Sequence, residues 1–174
     1  METLVGKGIK LRALEAEDLD FLYFLENDET IWELSNTQTP YSRFVLKKYL
    51  DNSHLDIYET KQLRLVIGGK EDQNIGFVDL YNFDPVHRRV GVGIVILKSE
   101  QKKGYGKEAV ELVINYVFSY LNVHQIFASV AQNNDASIQL FESLKFEKTG
   151  VRKDWILSKN EYVDEFFYQK INVH

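Results

Sequence analysis

The residues best suited to chemistry lie in one stretch of the chain. Gln101-Lys102-Lys103-Gly104-Tyr105-Gly106-Lys107 follows the apolar run Val90–Leu97 and opens a segment of helical spacing. The first turn of a helix has unpaired N–H groups and a partial positive charge, and glycines let a ligand's oxygens reach those amides. Lys102, Lys103 and Lys107 add full charges. The pattern suits a phosphate or pyrophosphate; Gly104 and Gly106 equally suit a tight strand-to-helix turn ringed by solvated lysines. It is not a Walker A loop, because no Gly-Lys-Ser/Thr ends it, and Gly91 and Gly93 lack the third glycine of a dinucleotide fingerprint. Those two glycines share one face of a strand, which marks a bulge, a close backbone approach by a ligand, or packing against a helix.

A second stretch runs Asn134-Asp-Ala-Ser137-Ile-Gln-Leu140-Phe141-Glu-Ser-Leu144-Lys-Phe146. Asn134, Ser137 and Phe141 are three and four residues apart, so they share a helix face. Two polar groups and a ring on one stripe suit a polar thread lying along it; singly, Asn134 reads as a cap and Ser137 as a solvent-facing serine. Among titratable groups, Asp79 stands out. Strict alternation puts Ile75, Phe77, Asp79, Tyr81 and Phe83 on one strand face, where a lone carboxylate is costly unless paired or functional. It is a candidate base, or an ion-pair partner of Arg88 or Arg89. His87, in a turn, titrates in the right range for a base. Glu26, Asp28, Glu29 and Glu33 form an acidic patch for a cationic amine or a solvated face; Trp32 and Tyr41 line such a pocket or belong to the core.

Periodicity supplies the elements that position these residues. Ile9–Ala13 alternates as a first strand, and the acidic turn Glu15–Asp18 opens a helix through Leu25. Residues 27–60 are less regular, with a helix at Arg43–Leu50. Strands follow at Gln62–Ile67, Ile75–Phe83 and Arg88–Leu97, joined by short connections and therefore antiparallel. From Gly104 to Tyr120, Ala109, Leu112, Val113, Tyr116, Val117 and Tyr120 trace a helical stripe. Ile126–Val130 is a strand, Asp135–Leu144 a helix capped by Asn134, and Phe146–Leu157 and Tyr162–Ile171 a final strand pair. The order β-α-α-β-β-β-α-β-α-β-β predicts a mixed sheet flanked by helices, with one crossover between strands four and five.

Composition narrows the class. The chain has 174 residues, 44% apolar and 27% charged, with 23 aromatics (11 Phe, 10 Tyr, 2 Trp). That fits a single domain over residues 1–174, with no repeat or linker. Lys plus Arg is 21 against 26 Asp plus Glu, a net charge of −5, which argues against a nucleic-acid partner and mildly favours a cationic one. The absence of cysteine excludes disulfides, thiolate metal sites and a Cys nucleophile. No apolar run approaches the ~18–20 residues of a membrane span, and no signal peptide is visible. The expected location is cytoplasmic, with no membrane contact and no metal.

Together, Gln101–Gly106 and Asn134–Phe146 resemble the GNAT N-acetyltransferase superfamily, whose pattern is Gln/Arg-x-x-Gly-x-Gly/Ala, a helix, a strand, then Asn-x-x-Ala/Ser-x-x-x-Tyr-x-x-x-Gly-Phe. Leu11–Leu14 and Phe83–Arg89 look like its spermidine/diamine branch and the neighbouring ribosomal-protein acetyltransferases. The resemblance implies an α+β fold with about seven strands, mostly antiparallel, about four helices, and strands four and five splayed apart. It implies that acetyl-CoA lies in that gap. The diphosphate would sit on Gln101, Lys102, Lys103, Gly104, Tyr105, Gly106 and Lys107. The pantetheine arm would pair with Ile94, Val95, Ile96 and Leu97, and Asn134, Ser137 and Phe141 would flank it. A backbone amide near Ile94–Leu97 would hold the developing oxyanion. An amine acceptor would attack the thioester directly, and a homodimer or higher homo-oligomer is expected.

Two positions depart from the pattern. Phe141 stands where the family has a Tyr that protonates the leaving thiolate, and Gly91 where many relatives have a base. A thiol like that of cysteine has a pKa of about 8.5, so its anion leaves tolerably, while general acid catalysis contributes ~10²–10⁴-fold. Ser137 is the candidate acid, with Asp79 or His87 as base. The resulting expectation is acetyl transfer to a diamine or polyamine held by Glu26, Glu29, Trp32, Glu33, Tyr41 and Asp79. The alternatives are a protein N-terminal acetyltransferase, a non-catalytic acyl-CoA sensor favoured by Phe141 and Gly91, and a phosphate-ligand protein outside the superfamily.

Overall fold

The computed structural model describes residues 2–35 and 37–173, apart from the side chains of residues 33 and 34. Seven strands form one sheet: β1 (Ile9–Ala13), β2 (Leu63–Gly69), β3 (Asn74–Asp84), β4 (Arg89–Ile96), β5 (Gln125–Ala131), β6 (Glu147–Ser158) and β7 (Glu161–Ile171). Their spatial order is β1-β2-β3-β4-β5-β7-β6, antiparallel throughout except for the parallel pair β4–β5. The helices are α1 (Leu19–Glu26), α2 (Glu29–Ser35), α3 (Arg43–Asp51), α4 (Ile57–Thr60), α5 (Tyr105–Ser119) and α6 (Asp135–Ser143). No described helix is long and apolar enough to cross a membrane.

Two of these helices, α2 and α4, fall in the region whose periodicity is weak. They have seven and four residues, too few to repeat an apolar stripe. α4 is held by its cap instead: the Asp56 side chain accepts from the Tyr58 and Glu59 amides at 2.8 and 3.0 Å.

The sheet carries a core on each face. On one, Leu22 and Leu25 of α1 and Leu46 and Leu50 of α3 pack on Val66 and Phe77. On the other, α5 and α6 cover Ile67, Val78, Leu80, Val90 and Val92. The buried stripe of α5 is Ala109, Val110, Val113, Ile114 and Val117, one residue round from the spacing expected. Leu112 and Tyr116 flank it, while Tyr120 is exposed and meets the N-terminal arm through Thr3 at 3.1 Å.

β3 corrects the five-residue alternation. Its register shifts against β2 between Ile67 and Gly68, and against β4 between Tyr81 and Asp84. Each shift adds one β3 residue, and Asn82 takes a φ of 49° at the second. The bulges turn Ile75 and Phe83 into the α5 core, leaving Phe77, Asp79 and Tyr81 on the opposite face.

β4 and β5 are hydrogen-bonded over three pairs only, Arg89–Gln125, Val90–Ile126 and Gly91–Phe127. Beyond Phe127, β5 continues its pairing with β7 through Ala131, while β4 stays with β3 through Ile96. The two strands therefore diverge from Gly91 and Phe127 onward, as the family resemblance implies.

Candidate active site

The wedge between β4 and β5 ends at the basic turn. Gly104 is the N-cap of α5 with a φ of 85°, a conformation that favours glycine, and no atom lies within 4 Å of the position a Cβ would take. The first intrahelical bond runs from the Glu108 amide to the Gly104 carbonyl at 3.1 Å. The amides of Tyr105, Gly106 and Lys107 therefore have no acceptor within the helix and are oriented to receive an anion. Gln101 donates its side-chain amide to the Ile96 carbonyl at 3.1 Å, tying the turn to the end of β4. Lys103 pairs with Glu100 at 3.0 Å, and Lys102 and Lys107 are exposed.

Along the open edge of β4, Ile94 and Ile96 lean into the α5 core, while Val95 and Leu97 lean into the α1–α3 core. All four are partly exposed, unlike buried Val90 and Val92 on the closed part of the same strand. On α6, Asn134 accepts from the Ser137 amide at 3.2 Å, so its side-chain NH₂ remains available. Ser137 is half-buried. Phe141 is 3% exposed and packs edge-on against Phe146.

On the α1–α3 face a pocket of about 380 Å³ lies between α1, α3 and strands β2 and β3, with Tyr81 in its wall. Of the residues predicted to bind substrate, it gathers Glu26, Tyr41 and Asp79. Glu29 is exposed at the start of α2 and does not line it. Trp32 does not line it either; its indole donates to the Glu26 carbonyl at 2.9 Å and fixes the end of α1. The Glu33 side chain lies outside the described residues.

Asp79 is paired with Arg64, not with Arg88 or Arg89. Arg64 Nε and Nη2 donate to its two oxygens at 2.6 and 2.8 Å, and Nη1 donates to Glu26. Arg64 lies directly opposite Asp79 across the β2–β3 ladder, with its guanidinium 5.0 Å from the centre of the Phe77 ring. Burial works against its charge, but the carboxylates of Asp79 and Glu26 outweigh this and hold it protonated, above the ordinary arginine range. Tyr49 and Tyr81 complete the aromatic lining; burial pushes both phenols up.

His87 is not brought to this site. It sits in the β3–β4 turn, where its amide donates to Asp84 at 2.9 Å, at the closed end of the wedge. At a strand rise of about 3.3 Å per residue, Arg89 at the start of β4 is already on the order of 20 Å from Val95, and His87 lies beyond it. The space beside Gly91 is taken by a neighbouring strand's side chain: Tyr81 carbons lie 2.4 to 2.8 Å from where its Cβ would be. Among the described residues no group of three or more His, Asp or Glu is disposed to hold a metal ion.

Comparison with known proteins gives the family and agrees with this fold. Residues 9–147 match the model of the acetyltransferase (GNAT) domain, and the chain belongs to that family. It is 30% identical over 163 residues to the spermidine N(1)-acetyltransferase of Vibrio cholerae, covering 94% of this chain and 87% of the relative. The crystal structure of a Vibrio cholerae spermidine N-acetyltransferase in complex with CoA and spermine superposes with a TM-score of 0.85 at 28% identity, over 94% of this chain and 95% of that one. A dodecameric structure of the Vibrio cholerae enzyme superposes with a TM-score of 0.79 at 28% identity, over 94% and 93% of the two chains. The chain is an N-acetyltransferase with acetyl-CoA as its co-substrate.

Proposed function

We propose that the acceptor is a polyamine of the spermidine or spermine type, acetylated on a primary amine. The observation that carries this reading is the pocket beside the wedge. Two carboxylates, Glu26 and Asp79, face one guanidinium, Arg64, for a formal charge of −1. The remaining walls include Tyr41, Tyr49 and Tyr81. A polyamine has cationic nitrogens separated by methylenes; carboxylates attract the former, and aromatic faces suit both. The Vibrio cholerae relatives support the same substrate class.

In this reading the Gln101–Lys107 turn holds the CoA diphosphate and Ile94–Leu97 flank the pantetheine arm. A β4 amide takes the thioester oxygen as its charge develops. Asp79 serves binding in place of proton abstraction, because Arg64 engages both of its oxygens. The amine must then arrive neutral. With a pKa near 10.4, only about one molecule in 2,500 is neutral at pH 7, so turnover rises with pH through the neutral range.

The chain is further read as a homo-oligomer. The β6–β7 hairpin exposes Val151, Trp155, Leu157 and Tyr162 along the sheet edge, and a structural neighbour is dodecameric.

The test is an acceptor panel. Purified protein and acetyl-CoA are incubated with spermidine, spermine, short diamines, lysine and N-terminal peptides, following free thiol and product mass. Saturable thiol release with the polyamines is expected. Transfer to peptides alone would move the pocket to a protein N-terminus, and tight CoA binding without turnover on any amine would identify a sensor.

A further inference from the structure

We infer that Tyr81 donates the proton to the departing CoA thiolate, a role that neither Phe141 nor the bare Gly91 can fill. This rests on the proposed reading of the β4–β5 wedge as the thioester site.

Tyr81 stands opposite Gly91 in the β3–β4 ladder, and Gly91 opposite Phe127, the last pair before β4 and β5 part. Its ring occupies the volume that a side chain at Gly91 would need, with a carbon 3.9 Å from the Cβ position of Gly93. Its flank packs edge-on against Phe127 at 5.8 Å. Tyr81 thus spans from β3 to β5 across the apex of the wedge, and it also lines the acceptor pocket. No other phenol lining the pocket is seated on the β4 glycines.

That arrangement fits a proton donor. A phenol carries one O–H that can be given to an acceptor. Burial pushes this phenol up, so it stays protonated at neutral pH. A phenol is also a far stronger acid than the alcohol of Ser137. The charged groups around it are Glu165 of β7 and Arg152 of β6, paired at 2.7 Å, and the Arg64, Asp79 and Glu26 cluster. The step balances. The amine lone pair forms the N–C bond, the C–S bond breaks, and sulfur takes the proton from Tyr81. The phenolate recovers a proton from the nitrogen of the product amide, whose attack carried one in excess.

Tyr81→Phe keeps the ring that fills Gly91 and removes only the hydroxyl. The expected result is a fall in kcat of roughly 10²–10⁴-fold, with the amine KM and the calorimetric CoA affinity nearly unchanged. With the selenoester analogue of acetyl-CoA, whose selenolate departs without a proton, the deficit should shrink. A Phe variant with kcat within about three-fold of wild type overturns the inference, as does a deficit undiminished with the selenoester. If the wild-type protein itself releases no thiol with any amine, the acetyl-transfer reading fails and the inference with it. An active wild type matched by an equally active Phe variant sinks the Tyr81 role alone.

Discussion

Glu26→Gln is the sharpest probe of the acceptor pocket, because it removes one charge and little else. Glu26 ends α1, with its side chain 19% exposed, and bonds to Nη1 of Arg64. Glutamine keeps the volume and an oxygen for that N–H, and the paired bonds from Arg64 to Asp79 stay intact. The pocket goes from a formal charge of −1 to 0. For a cationic nitrogen about 5 Å away, Coulomb's law gives about 3 kcal/mol at an effective dielectric of 20 and about 0.8 kcal/mol in bulk water. A partly exposed group falls between these limits, so KM for spermidine should rise by roughly 5- to 150-fold. Screening softens this little, because the Debye length at physiological salt, about 8 Å, exceeds the separation. Glu26 has no part in the bond changes, so kcat should hold. Initial rates of thiol release against spermidine at saturating acetyl-CoA measure both constants, and calorimetry checks CoA. A KM within about two-fold of wild type, or a collapse of kcat at constant KM, would refute the charge argument.

Two further predictions concern the frame of the site. Gly106 has room for one carbon, since a Cβ there meets Ile94, Ile96 and Leu140 at 3.8, 3.8 and 4.0 Å. Gly106→Ala should keep its Tm and CoA affinity, whereas the added methyls of Gly106→Val should cost about ten-fold or more in CoA affinity; an unchanged calorimetric Kd in a folded Val variant would remove the turn from the CoA site. Asp18, 2% exposed, accepts from Arg12 at 2.8 Å at each oxygen, from the Glu15 amide at 2.8 Å and from Asn74 at 3.2 Å. Burial opposes its charge, but these bonds prevail and hold its carboxyl below the ordinary range. Its contribution is therefore present above the unfolded value of about 3.9 and is lost as pH falls through the lower folded value. Asp18→Asn should cost about 1.5–3 kcal/mol in urea unfolding at pH 7 and flatten the acid limb of stability; an equally steep limb would place that titration elsewhere.

What was legible in the sequence follows from how local each signal is. The Gln101–Gly106 turn and the Asn134 cap lie within single strand-to-helix transitions, so composition and spacing alone expose them. The divergence of β4 and β5 came from resemblance. The acceptor pocket was read only in part, because its decisive contacts cross strands. Folding β2 onto β3 by counting back from Gly68 opposite Asn74 sets Arg64 against Val78. The extra β3 residue moves the register by one and brings Arg64 against Asp79. A bulge is a one-residue event with no composition of its own at Ile75, so the sequence points to Arg88 or Arg89 as the partner of Asp79 and not to Arg64. The second bulge, at positive-φ Asn82, hides the turning of Phe83 in the same way.

The pair Tyr81 and Gly91 extends this argument from fold to chemistry. Read separately, Gly91 is a position that lost a base and Tyr81 an aromatic on a strand. Read across the ladder, they are complementary: the ring fills the space where a Cβ at residue 91 would come within 2.4 Å of it. A side chain at Gly91 and the present seat of Tyr81 are therefore mutually exclusive. The departure from the family pattern at Gly91 thus makes room for a phenol from the adjacent strand. Loss of a titratable residue along one strand is weak evidence for loss of activity when the adjacent strand delivers a hydroxyl to the same apex.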